Sequence, residues 1–179
     1  MSRFIATEFA EPRIRPVFDR PADADNLKEA MRTLGGGVSI VTAGEGDLRS
    51  GATVTSATAL SVDPPRMLIS LNRTSSTWPV VERFRHFAIN VLGAEHLVLA
   101  NRFAGIGGLK GAERYRSAEW TRLASGAPVL EDAVAALDCE VEEAIERHSH
   151  VIVIGRVLAI RIGFGNSLLY QNGRYHSVD

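Results

Sequence analysis

Short apolar runs, several of them alternating with polar residues, dominate this chain and are typical of β-strands. Strands are predicted at residues 38–42, 49–57, 59–62, 66–71, 87–92, 136–143 and 151–162, with a final hairpin over 168–175. The run at 151–162 is almost continuously apolar, so we expect that strand near the centre of a sheet. Because closure removes exposed sheet edges, the pattern predicts a mainly β fold, a small closed barrel with peripheral helices.

Helical spacing of apolar residues is confined to three segments. One helix is predicted from Asp25, with Asp25 or Asn26 as its cap, and the glycines at 35–37 end it. Pro79 is suited to the first turn of a second helix, because its missing N–H has no intrahelical role there. The third helix is predicted over residues 95–103.

Length and charge limit the possible classes of protein. The chain has 179 residues, which suits a single folded domain, and residues 1–24 show no regular period. We therefore expect an N-terminal arm over 1–24 and one domain over 25–179. The chain has 20 basic and 21 acidic residues, which gives a formal net charge of -1. It therefore lacks the excess of basic residues that is typical of nucleic-acid-binding proteins.

The lone cysteine, Cys139, excludes an internal disulfide, and no cysteine–histidine cluster suits zinc. Charged residues interrupt the apolar runs near Met1, and no run approaches the ~18 residues of a membrane span. A cytoplasmic, metal-free protein without a membrane segment is expected. His148 and His150 share one face if they lie in a strand, but without a third ligand they do not predict a metal site.

Two polar segments flank the strand predicted at 66–71, namely Gly51–Ala57 and Ser70–Thr77. Each places small hydroxyl side chains and accessible backbone at a strand end, where N–H donors can meet an anion or a flat polar ring. Together they predict a cradle for such a ring and a phosphate. The alternative for Ser70–Thr77 is an ordinary polar turn that leads into a helix.

The glycine-rich stretch Gly105–Gly111 does not match the dinucleotide-binding fingerprint. Lys110 stands where the third glycine is needed, and no strand precedes the stretch. No Gly-Lys-Ser/Thr phosphate loop occurs anywhere in the chain. We therefore expect a mobile surface loop here.

Several ordered motifs carry a resemblance to a known family. They are Gly37-Val38-x-Ile40-Val41-Thr42, Gly51-x-Thr53-x-x-Ser56, Asp63-Pro64-Pro65, Asn72-x-x-Ser75-Ser76-Thr77, Phe87-Ala88-Ile89-Asn90-Val91-Leu92, Arg102-Phe103-Ala104-Gly105, His150 with Gly155-Arg156-Val157, and Leu168-Leu169-Tyr170-x-x-Gly173-x-Tyr175. In this order they resemble the short-chain flavin reductases, the NAD(P)H-dependent partners of two-component flavin monooxygenases such as 4-hydroxyphenylacetate 3-monooxygenase. The resemblance covers residues 26–176.

The resemblance implies a split β-barrel that binds FMN or FAD, with NADH or NADPH as electron donor, usually in a homodimer. Contact with the isoalloxazine edge is implied for Thr53, Val54, Thr55 and Ser56. The ribityl chain would be lined by Ser70, Leu71 and Asn72. The phosphate would be held by Ser75, Ser76 and Thr77, with that end closed by Phe103 and Ala104. His150, the expected catalytic residue, would lie where nicotinamide stacks on the ring, and Tyr175 would border the same space.

The implied reaction is hydride transfer from nicotinamide C4 to flavin N5, and the reduced flavin would supply a partner monooxygenase. Such chemistry needs no protein nucleophile, which agrees with a sequence that shows no catalytic triad, metal cluster or carboxylate pair. Three alternatives remain at this level: reduction of another acceptor such as a corrinoid cobalt or ferric iron, a non-enzymatic flavin- or haem-binding barrel, and a purely structural barrel.

Overall fold

A computed structural model describes residues 18–177, and most of the expected N-terminal arm therefore lies outside the described residues. Its α-helices are α1 (Ala24–Met31), α2 (Trp78–Phe84) and α3 (Leu97–Phe103). Its strands are β1 (Gly36–Gly37), β2 (Ser39–Ala43), β3 (Ser50–Val54), β4 (Thr58–Ser61), β5 (Arg66–Asn72), β6 (His86–Val91), β7 (Trp120–Arg122), β8 (Pro128–Leu130), β9 (Ala135–Arg147), β10 (His150–Ile162), β11 (Leu168–Gln171) and β12 (Arg174–Ser177). The prediction of a mainly β protein with peripheral helices is confirmed.

The main sheet has seven antiparallel strands in the order β3-β2-β6-β9-β10-β5-β4. Two smaller sheets, β1-β11-β12 and β7-β8, lie beside it. The predicted closed barrel is wrong, because within residues 18–177 β3 and β4 do not pair and form the two edges of the sheet. They are nevertheless consecutive in the chain, separated by Thr55–Ala57. Four residue steps span at most about 14 Å, so the sheet curls until its edges approach each other at this corner.

The core consists of two apolar clusters on opposite sides of β2. Ile40 packs in one cluster with Phe103 and Leu130, whereas Val41 packs in the other with Phe87. Successive strand residues point to opposite faces, so both faces of β2 are covered by protein. This double burial explains why the segment lacks the alternation of a half-exposed strand.

Three element boundaries differ from the predictions. The first helix is capped by Asp23, whose carboxylate accepts from the backbone N–H groups of Asp25 and Asn26 at 3.0 and 2.9 Å. The segment predicted as one helix over 95–103 begins as a 3-10 turn, Ala94–His96, before α3. His148 has φ +50° and lies in the turn between β9 and β10, so it does not share a strand face with His150.

Strands β1, β7 and β8 were not predicted from the sequence. Each has only two or three residues, too few for an alternating pattern to register. None of the described helices is long and apolar enough to cross a membrane.

Candidate functional site

The two polar segments predicted from the sequence meet at the open corner of the sheet. The Ser56 hydroxyl donates a hydrogen bond to the Ser70 carbonyl oxygen at 2.8 Å, which joins the β3–β4 connection to β5. Because β3 is an edge strand, one side of its backbone has no neighbouring strand and can offer N–H and C=O groups to a ligand. The corner therefore combines free backbone with hydroxyl side chains.

A cleft of about 640 Å³ opens beside this corner, between the end of β3, helix α3 and the β11–β12 hairpin. Five of the residues that the resemblance assigns to the site line it: Thr53, Val54, Thr55, Ala104 and Tyr175. The other lining residues are Val38, Leu97, Asn101, Ile106, Tyr170 and Gly173. The volume and the mixture of apolar and polar walls are typical of small-molecule sites.

The Thr53 hydroxyl is already engaged within the protein. It donates to the Ala100 carbonyl oxygen at 2.6 Å and so fixes β3 against α3. Thr53 can therefore position the cleft wall through its side chain while its backbone remains at the sheet edge.

The loop after β5 approaches the opposite end of β3. The Ser50 hydroxyl lies 3.5 Å from the Ser76 hydroxyl and 3.4 Å from the Thr77 hydroxyl. Ser50 and Thr77 are buried, whereas Ser76 is exposed and Ser75 is half-buried. The Ser75 hydroxyl oxygen also accepts from the Trp78 backbone N–H at 3.3 Å, at the start of α2. Of these hydroxyls, that of Ser76 is the most accessible to a ligand.

Asn72 and His150 lie opposite each other on the paired strands β5 and β10. The Asn72 side-chain oxygen accepts from the backbone N–H and the hydroxyl of Thr74 at 2.9 and 2.8 Å, which shapes the loop. His150 is exposed, and its Nδ1 lies 2.9 Å from the Ser149 hydroxyl. The Leu71 side chain between these polar groups is buried in the core, so only its backbone is available to a ligand.

Phe103 is buried rather than exposed at the cleft. It packs edge-on against Tyr115 with ring centroids 5.1 Å apart. It also approaches β3 so closely that a Cβ placed on Gly51 would lie 2.7 Å from its ring. The glycine thus allows close packing between α3 and the edge strand.

Two arginines near this packing were not singled out by the sequence, because they belong to no motif. The Arg49 guanidinium lies over the Tyr115 ring, 4.3 Å from its centroid. Arg114 donates from Nη1 to the Gly51 carbonyl oxygen at 2.7 Å. Burial raises the pKa of the Tyr115 hydroxyl, and the positive charges of both arginines offset part of that rise.

Two other buried titratable groups, His86 and Cys139, have structural surroundings. His86 accepts from the Gly44 backbone N–H at 3.1 Å, and its other ring nitrogen lies 2.8 Å from the Ser125 carbonyl oxygen. Cys139 is fully buried in the core, and burial, with a smaller contribution from Asp138, raises the pKa of its thiol to about 12. Within residues 18–177 no group of three or more histidine, cysteine or carboxylate side chains could hold a metal.

Fold and site together define a protein with a curled, incompletely closed antiparallel sheet and a ligand cradle at the opening. The sequence matches the flavin reductase like domain over residues 31–179, and the chain belongs to that family. The split-barrel fold implied by the sequence motifs is therefore confirmed.

Relatives and solved structures agree with this family. The chain is 37% identical over 154 residues to a protein of Bradyrhizobium diazoefficiens named FMN reductase (NADH) RutF, covering 86% of this chain and 84% of that one. A Haemophilus somnus protein assigned as a flavin reductase superposes with a TM-score of 0.83 at 32% identity, covering 88% and 100% of the two chains. The Streptomyces globisporus NADH:FAD oxidoreductase SgcE6 gives 0.82 at 27% identity, covering 93% and 99%, and was also solved with NAD and FAD fragments.

Proposed function

We propose that this protein is an NADH-dependent flavin reductase that takes FMN as its flavin. The observation that carries the proposal is the open corner itself, where Ser56 joins the two hydroxyl-rich segments beside a cleft of about 640 Å³. The names of similar proteins support the choice of FMN and NADH, since several of them are called FMN reductase (NADH).

The residues present fit a flavin mononucleotide. The cradle extends from Thr55 at the cleft to Ser50 beside the Ser76 loop, about 17 Å for five residues of strand. One end offers a wide cleft with free strand edge, which suits a flat polar ring. The other end offers the exposed Ser76 hydroxyl, which suits a phosphate.

The roles carried over from the sequence follow this division. The edge of β3 would orient the ring, and Tyr175 would border it on the far wall of the cleft. Ser75 and Ser76 would donate to the phosphate, while buried Thr77 would act through its contact with Ser50. Bound flavin supplies a ring that accepts hydride from reduced nicotinamide. The part of the protein would be to align the two rings and exclude water.

We assign His150 to the nicotinamide side of the site. Its ring is exposed, and Nδ1 lies against the Ser149 hydroxyl, which leaves Nε2 free to face a ligand. An imidazole there can form a hydrogen bond to the donor dinucleotide.

The proposal includes a homodimer that supplies reduced flavin to a partner monooxygenase in the cytoplasm. An exposed apolar surface supports the dimer: Val62, Ile162 and Phe164 are 86, 83 and 95% exposed, and Leu60 and Ile160 are also exposed. Isolated exposed apolar residues are common, but a group of this size at the ends of β4 and β10 favours a protein contact. Sedimentation at micromolar concentration would measure the oligomeric state.

The test of the reductase is anaerobic mixing of the protein, FMN and NADH while the visible flavin band is followed. Rapid bleaching that depends on the protein is expected, with a slower reaction for NADPH. Bound flavin that stays oxidised would overturn the reductase and favour a flavin-binding module.

A matched pair of variants tests the role of His150. His150→Asn is expected to slow NADH turnover more than it weakens FMN binding. His148→Asn, which changes an exposed histidine in the adjoining turn, is expected to leave both unchanged. The opposite pattern for His150→Asn would place this residue against the flavin instead.

A further inference from the structure

The cleft beside the open corner of the sheet is uncharged. None of the eleven described residues that line it has a charged side chain. Such a cleft suits the neutral heterocycles of the two proposed substrates better than their phosphates, because a charge placed there would lose water without gaining a counter-charge. The few polar side chains on its walls therefore determine which edge of a heterocycle can bind.

Asn101 provides the single carboxamide among these lining residues. It belongs to helix α3, four residues after Leu97 and three before Ala104, which directly follows the helix. Residues at this spacing lie on one face of a helix, and all three line the cleft. Because Leu97 and Ala104 are apolar, the polar chemistry of this wall comes from the Asn101 side chain alone.

The Asn101 carboxamide has no partner within the described part of the chain. The residue is half-buried, and its side-chain oxygen and nitrogen form no hydrogen bond with any other residue of 18–177. The Thr53 hydroxyl on the facing wall is different, because it already donates to the Ala100 carbonyl oxygen at 2.6 Å. The Asn101 amide therefore keeps both its acceptor and its donors for a ligand in the cleft.

The fold anchors the backbone that carries this amide. The hydrogen bond from Thr53 attaches the edge strand β3 to Ala100, the residue before Asn101. The carbonyl oxygen of Asn101 itself accepts from the Ile106 backbone N–H at 3.0 Å. A ligand between α3 and the edge of β3 therefore meets a group whose position is already defined, which lowers the entropic cost of binding.

We propose that Asn101 is a specificity-determining residue that recognises the edge of a planar amide or imide. Its side-chain oxygen would accept from a ligand N–H, and its NH₂ group would donate to the adjacent ligand carbonyl. The inference rests on the proposed function, because both proposed substrates contain such an edge: the imide of the flavin pyrimidine ring and the carboxamide of nicotinamide. The chemistry that Asn101 recognises is the same in either case.

The test compares ligands with and without the N–H donor. FMN is paired with FMN methylated at N3, and NADH is paired with its reduced acetylpyridine analogue, in which an acetyl group replaces the carboxamide. Wild type and Asn101→Leu are titrated with each ligand alone. In the wild type one parent ligand should bind more tightly than its analogue, and Asn101→Leu should reduce that advantage by about fivefold.

Asn101→Asp separates recognition from a structural role. An ionised carboxylate keeps the acceptor oxygen and loses the N–H donors, so this variant should still prefer the ligand that carries the N–H. A structural role would instead change the affinity for a parent ligand and its analogue equally. Val98→Ala, which changes a residue of α3 that is 70% exposed and does not line the cleft, is the control and should leave both advantages unchanged.

Each outcome has a defined meaning. A reduced advantage in the FMN pair identifies the flavin imide, and one in the NADH pair identifies the nicotinamide carboxamide. If Asn101→Leu keeps both advantages, the role of Asn101 is overturned and the reductase proposal stands. A wild type that binds neither FMN nor NADH would overturn both proposals.

Loss of folding does not obscure the result. Leucine is a better helix former than asparagine, so α3 should tolerate the change. Each advantage is also a ratio measured on one protein, so a smaller folded fraction affects a parent ligand and its analogue equally. If Asn101→Leu nevertheless fails to fold, the wild type decides the question, because equal affinities within both pairs would overturn the proposal.

Discussion

Replacement of Ser76 by alanine should weaken FMN binding without lowering the stability of the protein, because this hydroxyl is proposed to bind the flavin phosphate. Ser76 is exposed, and its only described hydroxyl contact is the 3.5 Å approach to Ser50, so little structure depends on it. Ser76→Ala should therefore change the free energy of unfolding by less than about 0.5 kcal/mol. Loss of one hydrogen bond to a charged phosphate is worth about 1.5–3 kcal/mol, which corresponds to about 10- to 150-fold in FMN affinity.

Ser75→Ala should behave differently because of what its hydroxyl does in the fold. Its oxygen accepts from the Trp78 backbone N–H at 3.3 Å, just before α2. Removal of this side-chain hydrogen bond should lower stability by about 1 kcal/mol, which corresponds to a melting temperature lower by roughly 2–4 °C for a chain of this size. If the Ser75 hydroxyl also binds the phosphate, Ser75→Ala should lower the affinity for FMN as well as the stability.

The assay is titration of each variant with FMN and riboflavin, paired with thermal unfolding. Riboflavin affinity should stay constant, since riboflavin lacks the phosphate. Ser177→Ala, another exposed serine, serves as the control. If Ser76→Ala binds FMN within twofold of the wild type, the assignment of this hydroxyl to the phosphate is refuted.

Three further predictions concern the scaffold. Asn90→Ala removes a fully buried amide that makes three hydrogen bonds at 2.8–3.1 Å, so the melting temperature should fall by roughly 6–12 °C for a loss of about 3 kcal/mol; a fall below 2 °C would contradict this. Gly51→Ala would place Cβ 2.7 Å from Phe103 and should lower both stability and flavin affinity, whereas Gly37→Ala has open space and should be neutral by the same two assays. The raised pKa of Cys139, about 12 against an ordinary 9.0, means that the unfolded state loses its proton first, so stability is fully present below about pH 9 and falls toward pH 12. Urea unfolding of Cys139→Ala at several pH values should show a smaller decrease of the free energy of unfolding above pH 9 than in the wild type. The same decrease in both proteins would contradict this prediction.

Most strands of the main sheet were predictable because they bury at least one face, whereas β4 is almost wholly exposed. The apolar run at 151–162 indicated a central strand, and β10 does lie between β9 and β5. The hydroxyl-rich segments were also visible, since Ser56 and Ser70 stand at strand ends in the sequence. What the pattern could not provide is their 2.8 Å contact, which depends on how the sheet curls.

Closure of the sheet is a long-range property that local periodicity does not encode. The alternation of apolar and polar residues indicates which face of a strand is buried. It does not indicate whether the first and last strands of a sheet are hydrogen-bonded to each other. The expectation of a closed barrel came from the unfavourable exposure of edges in general. In this protein two carbonyl oxygens of β3 are satisfied by side chains, because Arg114 donates to Gly51 and Tyr115 donates to Ser50.

The arginines escaped sequence reasoning for a related reason. Arg49 and Arg114 are 65 positions apart and carry no motif, and their relation appears only through Tyr115 and the edge strand. A cation without a nearby carboxylate is also unremarkable in a sequence with nearly equal numbers of acidic and basic residues.

The open edge provides a physical reason for the position of the proposed site. In a strand that is paired on both sides, the backbone N–H and C=O groups are hydrogen-bonded within the sheet. An edge strand has N–H and C=O groups on one side that can bind other partners. A flat polar ring can form hydrogen bonds with these backbone groups as another strand would, and the gap between β3 and β4 has space for it. If this reasoning is correct, flavin binding should protect the amides of β3 from hydrogen exchange more than those of β6, which is paired on both sides. Equal protection of the two strands would show that the ligand binds elsewhere.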